Sequence, residues 1–190
     1  MIQLLHDLWR KRGGSAAVEF AFVLPVLIVM FMGVFEVSQG LVVYMKVIDV
    51  ADTVSDLIAQ QKQVANTDID NYYTAGKLVM TPSPGAGLGL AVASVTFDPV
   101  TAAASVAWHV EEGGAAAMTN LVNGATGLGL KCANQVPTPV NPCDSVIAAE
   151  ASYTYNSALS YLIQQPITIT ARVYSRPRAV FTIPCTAPCN

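Results

Sequence analysis

The length, composition and charge of this chain limit its possible functions. Its 190 residues suit one anchoring helix and one modest domain, and only 12% are charged, about half of the roughly 25% usual in soluble domains. The formal net charge is −3 and no Lys/Arg cluster follows Arg12, so binding of nucleic acid has little support.

The first segment is a basic stretch followed by an apolar run. Residues 1–14 contain the cluster Arg10 to Arg12, and the run from Ala16 to Phe35 has Glu19 as its single charged residue. At about 1.5 Å per helical residue, the run spans roughly 30 Å, the hydrocarbon thickness of a bilayer. The basic cluster favours the cytoplasm, which predicts a periplasmic carboxyl-terminal part.

Three interpretations compete for this segment: a cleaved signal peptide, a plain single-pass anchor and a prepilin-type signal. The run is longer than the roughly 7–15 residues of a signal-peptide core and lacks a clear small-x-small site at its end. A carboxylate at bilayer depth costs a few kcal/mol, and a plain anchor does not need one. Glu19 therefore favours the prepilin-type signal, although it lies close enough to Ser15 to reach the cytoplasmic interface.

The sequence RGGSAAVEF at residues 12–20 resembles the processing site of type IV pilin-like precursors. The wider run GGSAAVEFAFVLPVLIVMFMGVFEVSQGLVVY, which includes Pro25 and the Gly33-x-x-Glu36 segment, is similar to TadE-like proteins of the Tad/Flp (tight adherence) pilus system. The resemblance is good over residues 10–60. Beyond them, the chain matches only in general character.

This resemblance implies cleavage between Gly14 and Ser15 by a prepilin peptidase, with Glu19 as the fifth mature residue and Phe20 after it. The family arrangement pairs such a Glu with the terminal amine of a neighbouring subunit, and positions one and five share a helix face. The implied partners are other pilins or pseudopilins, the prepilin peptidase and the inner-membrane assembly platform. Pro25 is either a harmless kink or a point of flexibility that eases extraction from the bilayer.

The helix is predicted to continue beyond the membrane as an amphipathic segment over residues 37–65. Its apolar positions recur at helical spacing, and acidic residues occupy the other face; the apolar positions are Val47, Val50, Ala51, Val54, Leu57 and Ile58. Asn66 to Asp68 is predicted to be a polar break. Asp68, Asp70 and Asn71 lack the Gly and the later Glu of a calcium loop, so no metal site is expected.

Four later stretches alternate as strands do, and the chain is therefore predicted to have an α+β fold, a long amino-terminal helix packed with a small antiparallel sheet. The predicted strands are Leu88–Phe97, Ala104–Val110, Val146–Tyr155 and Ile167–Tyr174. In the second, Ala104, Val106, Trp108 and Val110 are expected on one face. The domain plan is a leader at 1–14, a transmembrane helix at 15–36, its continuation at 37–65 and a periplasmic domain at 66–190.

All four cysteines lie in the last third of the chain, which fits structural disulfides in an oxidising compartment. Four cysteines allow three connectivities, and proximity favours Cys132–Cys143, within the Gly- and Pro-rich residues 112–144, and Cys185–Cys189. Neither spacing is typical of a redox Cys-x-x-Cys motif or a zinc site.

No sequence motif indicates catalysis. His6 lies in the leader, His109 lies on a predicted strand, and the Gly-rich runs at 85–89 and 124–129 lack the context of a phosphate site. The TadE-like resemblance implies a minor pilin or pseudopilin, and the chain is predicted to be non-enzymatic and without a cofactor. The alternatives are an unprocessed, membrane-anchored periplasmic binding domain and, with less support, an anchored enzyme that uses Cys185/Cys189 or His109.

Overall fold

The computed structural model describes residues 14–97, 103–126, 145–157 and 165–186, together with Cys189. The helices are α1 (Ser15–Ala59), α2 (Asn66–Val79) and α3 (Leu121–Thr126). The strands are β1 (Leu88–Phe97), β2 (Ala104–Glu112), β3 (Ser145–Tyr155) and β4 (Ile167–Ser175). The predicted α+β fold is confirmed.

The four strands form one antiparallel sheet in the order β2-β1-β3-β4. The strand ends form two margins of the sheet. We call the margin where Tyr155 pairs with Ile167 the lower edge, and the opposite margin, where Ile147 pairs with Ser175, the upper edge. α1 crosses one face of the sheet, and α3 lies over the other.

Alternation within the strands divides the buried side chains between these two faces. The cluster under α1 includes Leu90, Val92, Ile147 and Ala149. The cluster on the α3 side consists of Ala93, Val95, Phe97, Leu121, Ala125, Val146 and Ala148. Both faces of the central strands β1 and β3 are therefore covered, which explains their nearly continuous apolar sequences.

A bulge in β2 corrects the face that the sequence predicts for this strand. Ser94 pairs with Trp108 and Val95 with Val106, so Ala107 is an extra residue opposite β1. Because one extra residue reverses the alternation, Ala104 packs with the α3-side cluster while Trp108 packs beneath α1. The four apolar residues of β2 do not share one face.

The upper half of α1 packs on the sheet with the side chains that the helical spacing predicts. Val47, Val50, Val54 and Ile58 are all fully buried or nearly so. Near the upper edge, the hydroxyls of Ser55 and Ser175 lie 2.9 Å apart in a hydrogen bond. The amphipathic periodicity thus correctly identifies the face of α1 that contacts the sheet.

The end of α1 differs from the predicted range. The helix stops at Ala59 rather than at residue 65, and Gln60 caps it through backbone bonds to Asp56 and Ile58. The predicted break at Asn66 to Asp68 is instead the first turn of α2, because the Asp68 carboxylate accepts the Ala65 backbone N–H at 2.9 Å and satisfies a donor at the helix start. The actual break lies in residues 60–65.

Candidate functional site: the amino-terminal helix and its junction with the sheet

The lower half of α1 exposes apolar side chains on all sides. Phe22 is 78% exposed and Phe31 is 73% exposed, whereas such side chains are usually buried in soluble proteins. In the part of the chain that the structure describes, Ala16–Ala59 is the one helix long and apolar enough to cross a membrane, by length and composition. None of its most apolar window is buried against the rest of the protein.

The residues of the predicted processing site lie at the start of this helix. Gly14 is the residue before the first helical turn, and Ser15 is the first residue of α1. Glu19 and the exposed Phe20 follow one turn later. Residues 1–13, which include the predicted basic leader, lie outside the described residues.

Pro25 lies inside α1, and the helix continues on both sides of it. Because proline has no N–H, the carbonyl of Ala21 loses its usual helical donor at this position. Exposed apolar side chains surround the site, so no packing from the sheet reinforces this turn. Pro25 is therefore a local weakening of the hydrogen-bond ladder within the apolar half of the helix.

The junction between α1 and the sheet is built around Glu36, a residue to which the sequence patterns assign no role. Glu36 is only 2% exposed, and the Tyr155 hydroxyl donates a 3.0 Å hydrogen bond to its Oε1. Burial raises the pKa of Tyr155, and the hydrogen bond to Glu36 and the charge of that carboxylate raise it further. In the sequence, Glu36 differs from its surroundings only as the second carboxylate, after Glu19, in a mostly apolar helix.

The carboxyl-terminal tail closes the upper edge. The backbone of Val64 donates to Pro184 at 3.1 Å and accepts from Thr186 at 2.8 Å, and the Trp108 indole donates to the carbonyl of Ile183 at 2.8 Å. Cys185 and Cys189 lie at disulfide distance, with Cα atoms 6.1 Å apart. Cys132 and Cys143 lie outside the described residues.

Two further sets of interacting ionisable side chains lie on and beside β2. His109 lies 2.9 Å from Glu111 on the α3 side of β2, where both side chains are half-buried. Burial raises the pKa of Glu112, and the adjacent Asp70 raises it further. Among the described residues, no group of three or more His, Cys, Asp or Glu side chains could hold a metal ion.

Comparison with known families finds a similarity that is confined to the amino-terminal helix. Residues 14–56 match the family model described as TadE-like protein, which confirms the resemblance noted in the sequence. The match begins at the residue before α1 and ends within that helix, so the sheet lies beyond it. No curated protein and no solved structure matches the chain significantly.

Proposed function

We propose that this TadE-like chain is a minor pilin or pseudopilin that acts in the assembly or priming of a Tad/Flp pilus. The match at residues 14–56 supports the coarser statement that it is a Tad pilus-related protein. The main support for the finer role is that the matched segment begins directly at the exposed apolar helix. A helix of this kind can pass from lipid into a bundle of similar helices.

In this proposal, a prepilin peptidase cuts between Gly14 and Ser15 and frees an amine at the first residue of α1. Glu19 then pairs with the amine of a neighbouring subunit. In an apolar surround, an unpaired charge is strongly unfavourable, so this pairing would select the register between adjacent helices. Phe20 and the apolar residues that follow would supply the packing surface, and the weakened turn at Pro25 would ease departure from the bilayer.

The proposed location is the bacterial inner membrane, with a cytoplasmic amino terminus and a periplasmic sheet domain, before any incorporation into the pilus. The long apolar helix and the family match support membrane anchoring. The basic residues Arg10 to Arg12 support the orientation, and Cys185 and Cys189 at disulfide distance fit an oxidising compartment. The proposed partners remain other Tad pilins, the peptidase and the assembly platform.

Processing provides the direct test. In cells with the prepilin peptidase, we expect intact-protein mass spectrometry to find a chain that begins at Ser15. In cells without the peptidase, the chain should keep its leader. Gly14→Val, which changes the residue on the leader side of the cut, should also remain unprocessed, with Gly33→Val as a matched control for substitution within the same segment. An identical mass in both strains would support the unprocessed, anchored periplasmic domain instead.

A further inference from the structure

The exposed apolar surface of α1 is longer than a hydrocarbon core requires. Beyond the run that ends at Phe35, large apolar side chains stay exposed on the helix surface away from the sheet, namely Val37, Leu41, Val42, Tyr44 and Met45. From Glu19 to Lys46, the helix rises about 40 Å. This matches the roughly 40–45 Å of a bilayer with its headgroup layers better than the roughly 30 Å of its hydrocarbon core.

Glu36 does not interrupt this apolar surface, because its carboxylate is turned away from it. The side chain is 2% exposed and accepts the hydrogen bond from Tyr155 at the lower edge of the sheet. An exposed carboxylate at membrane depth would be costly. A carboxylate covered by protein and hydrogen-bonded is compatible with a position below the membrane surface.

On β3 and β4, the lower edge of the sheet is uncharged as well, whereas on the β1–β2 side Glu112 lies level with Ala151 and Lys77 of α2 lies beside Gly85. From Ala151 to Ala171, the sequence contains no Asp, Glu, Lys, Arg or His, and Ile167 at this edge is 45% exposed. The first charges above the edge on β3 and β4 are Glu150 and Arg172, which bind each other at 2.7 Å. They lie about 17 Å above Tyr155 at the rise of a β-strand.

The next charged residue above Glu36 on α1 lies at nearly the same height as the first charged residues on β3 and β4. Lys46 lies about 15 Å above Glu36 at the rise of a helix, close to the strand value. Lys46 binds the carbonyls of Met80 and Thr81, and the exposed residues Asp49 and Asp52 follow it on α1. Tyr44 lies just below this level, and tyrosine is enriched where a membrane meets water.

We infer that the lower edge of the sheet on its β3–β4 side, where α1 packs, rests in the outer interfacial layer of the bilayer, with lipid covering the exposed helix surface from Val37 to Met45. Glu36 would then lie below the membrane surface in a niche closed by Tyr155. Tilt alone does not explain the helix length, because fitting about 44 Å from Ala16 to Met45 into about 30 Å needs a tilt of about 46°, beyond the roughly 40° that known helices reach. The inference rests on the proposed membrane anchoring and adds a second, peripheral contact with lipid.

Tryptophan quenching by brominated lipids tests this inference. The full chain, in a Trp9→Phe background, is reconstituted at high lipid-to-protein ratio into phosphatidylethanolamine–phosphatidylglycerol vesicles with brominated acyl chains. The probes are Leu41→Trp on the helix and Ile167→Trp on the sheet edge. Phe31→Trp within the span and Phe181→Trp, exposed near the upper edge, are the matched controls. The parent protein corrects for Trp108.

We expect Leu41→Trp and Ile167→Trp each to lose at least about half as much fluorescence as Phe31→Trp, because the interfacial layer adjoins the hydrocarbon core. The control Phe181→Trp should lose no more fluorescence than the parent. If Leu41→Trp or Ile167→Trp is quenched as little as Phe181→Trp while Phe31→Trp is quenched strongly, the inference is overturned. Membrane anchoring by α1 is then still supported. If Phe31→Trp is not quenched, membrane anchoring itself fails. The high lipid ratio ensures that a second copy does not cover the helix surface.

Discussion

At the scale of single residues, two carboxylates on the same apolar helix have different surroundings. Glu19 lies among exposed apolar side chains in the first turns of α1, whereas Glu36 is buried where the helix meets the sheet. Burial of a carboxylate is tolerated when hydrogen bonds compensate it, and Tyr155 supplies one. The contact of Glu36 is therefore intramolecular, whereas intermolecular pairing of Glu19 is part of the proposed function.

Replacement of Glu19 should impair pilus assembly without impairing membrane insertion. Glu19→Leu makes the span more apolar, so insertion is favoured, but it removes the proposed partner of the Ser15 amine. We expect a clear loss of pili and of surface attachment at normal protein level in the membrane fraction. Val18→Leu is the matched control and should resemble wild type. Full piliation of the Glu19→Leu strain would argue that Glu19 has no role in assembly.

Removal of the Tyr155 hydroxyl should destabilise the junction between α1 and the sheet. Tyr155→Phe deprives the buried Glu36 carboxylate of a donor, and the expected cost is about 1–2 kcal/mol of unfolding free energy. Urea unfolding of the protein in detergent would measure it. Tyr153→Phe, at a neighbouring buried tyrosine on the same face of β3, is the control with a smaller expected effect. Equal losses in the two variants would show that the Glu36 bond contributes little.

The difference in stability between wild type and Tyr155→Phe should also depend on pH in the alkaline range. Because the pKa of Tyr155 is raised in the folded protein from its ordinary value of 10.0, the unfolded chain releases this proton first as the pH rises. The stabilisation is complete below pH 10.0 and is lost as the pH rises above it through the folded-state pKa. The advantage of wild type over Tyr155→Phe should therefore shrink in alkaline unfolding experiments. An advantage that stays constant or grows would contradict this assignment.

At the scale of elements, α1 is one continuous helix with two different environments. Its lower half exposes apolar side chains, and its upper half buries a narrow apolar stripe against the sheet. The tail that follows β4 secures the upper end, since Arg178 donates its backbone N–H to Ala59 at 2.8 Å and its guanidinium pairs with Asp56. The end of α1 is thus held by a segment distant in sequence.

We predict a Cys185–Cys189 disulfide that stabilises this tail. Closure of so short a loop should contribute about 2 kcal/mol, so a Cys185→Ser/Cys189→Ser variant should unfold at lower urea concentration than wild type. Peptide mapping without reduction should recover the bridge, and Cys132–Cys143 is predicted by the same proximity argument. Bridges mapped between the two pairs, or free thiols at all four positions, would show that proximity in sequence did not decide the connectivity.

At the scale of the whole molecule, charge on α1, β3 and β4 increases with height above the lower edge of the sheet. The lower half of α1 has Glu19 as its single exposed charge, and the lower parts of β3 (Ala151 to Tyr155) and β4 (Ile167 to Ala171) have none. Above them lie the ion pair between Glu150 and Arg172 and the pairing of Asp56 with Arg178. Such a gradient suits a protein whose surroundings change from lipid to water along one axis. The quenching experiment on Leu41→Trp and Ile167→Trp tests the position of that boundary.

The sequence by itself determined the features that depend on local periodicity and composition. The long apolar run, its single early carboxylate, the amphipathic stripe from Val47 to Ile58 and the four strands were all readable from residue spacing, since helices and strands have periods of 3.6 and 2. The TadE-like segment was readable from its short motif. Each signal lies within a few turns of helix or one strand.

Only the tertiary structure decided which distant residues meet. Glu36 and Tyr155 are 119 positions apart, and no local pattern pairs them. The bulge at Ala107 depends on the register between β1 and β2, and the end of α1 at Ala59 depends partly on the tail that packs against it. These features arise because long-range packing and hydrogen bonding outweigh the small local preferences of individual residues.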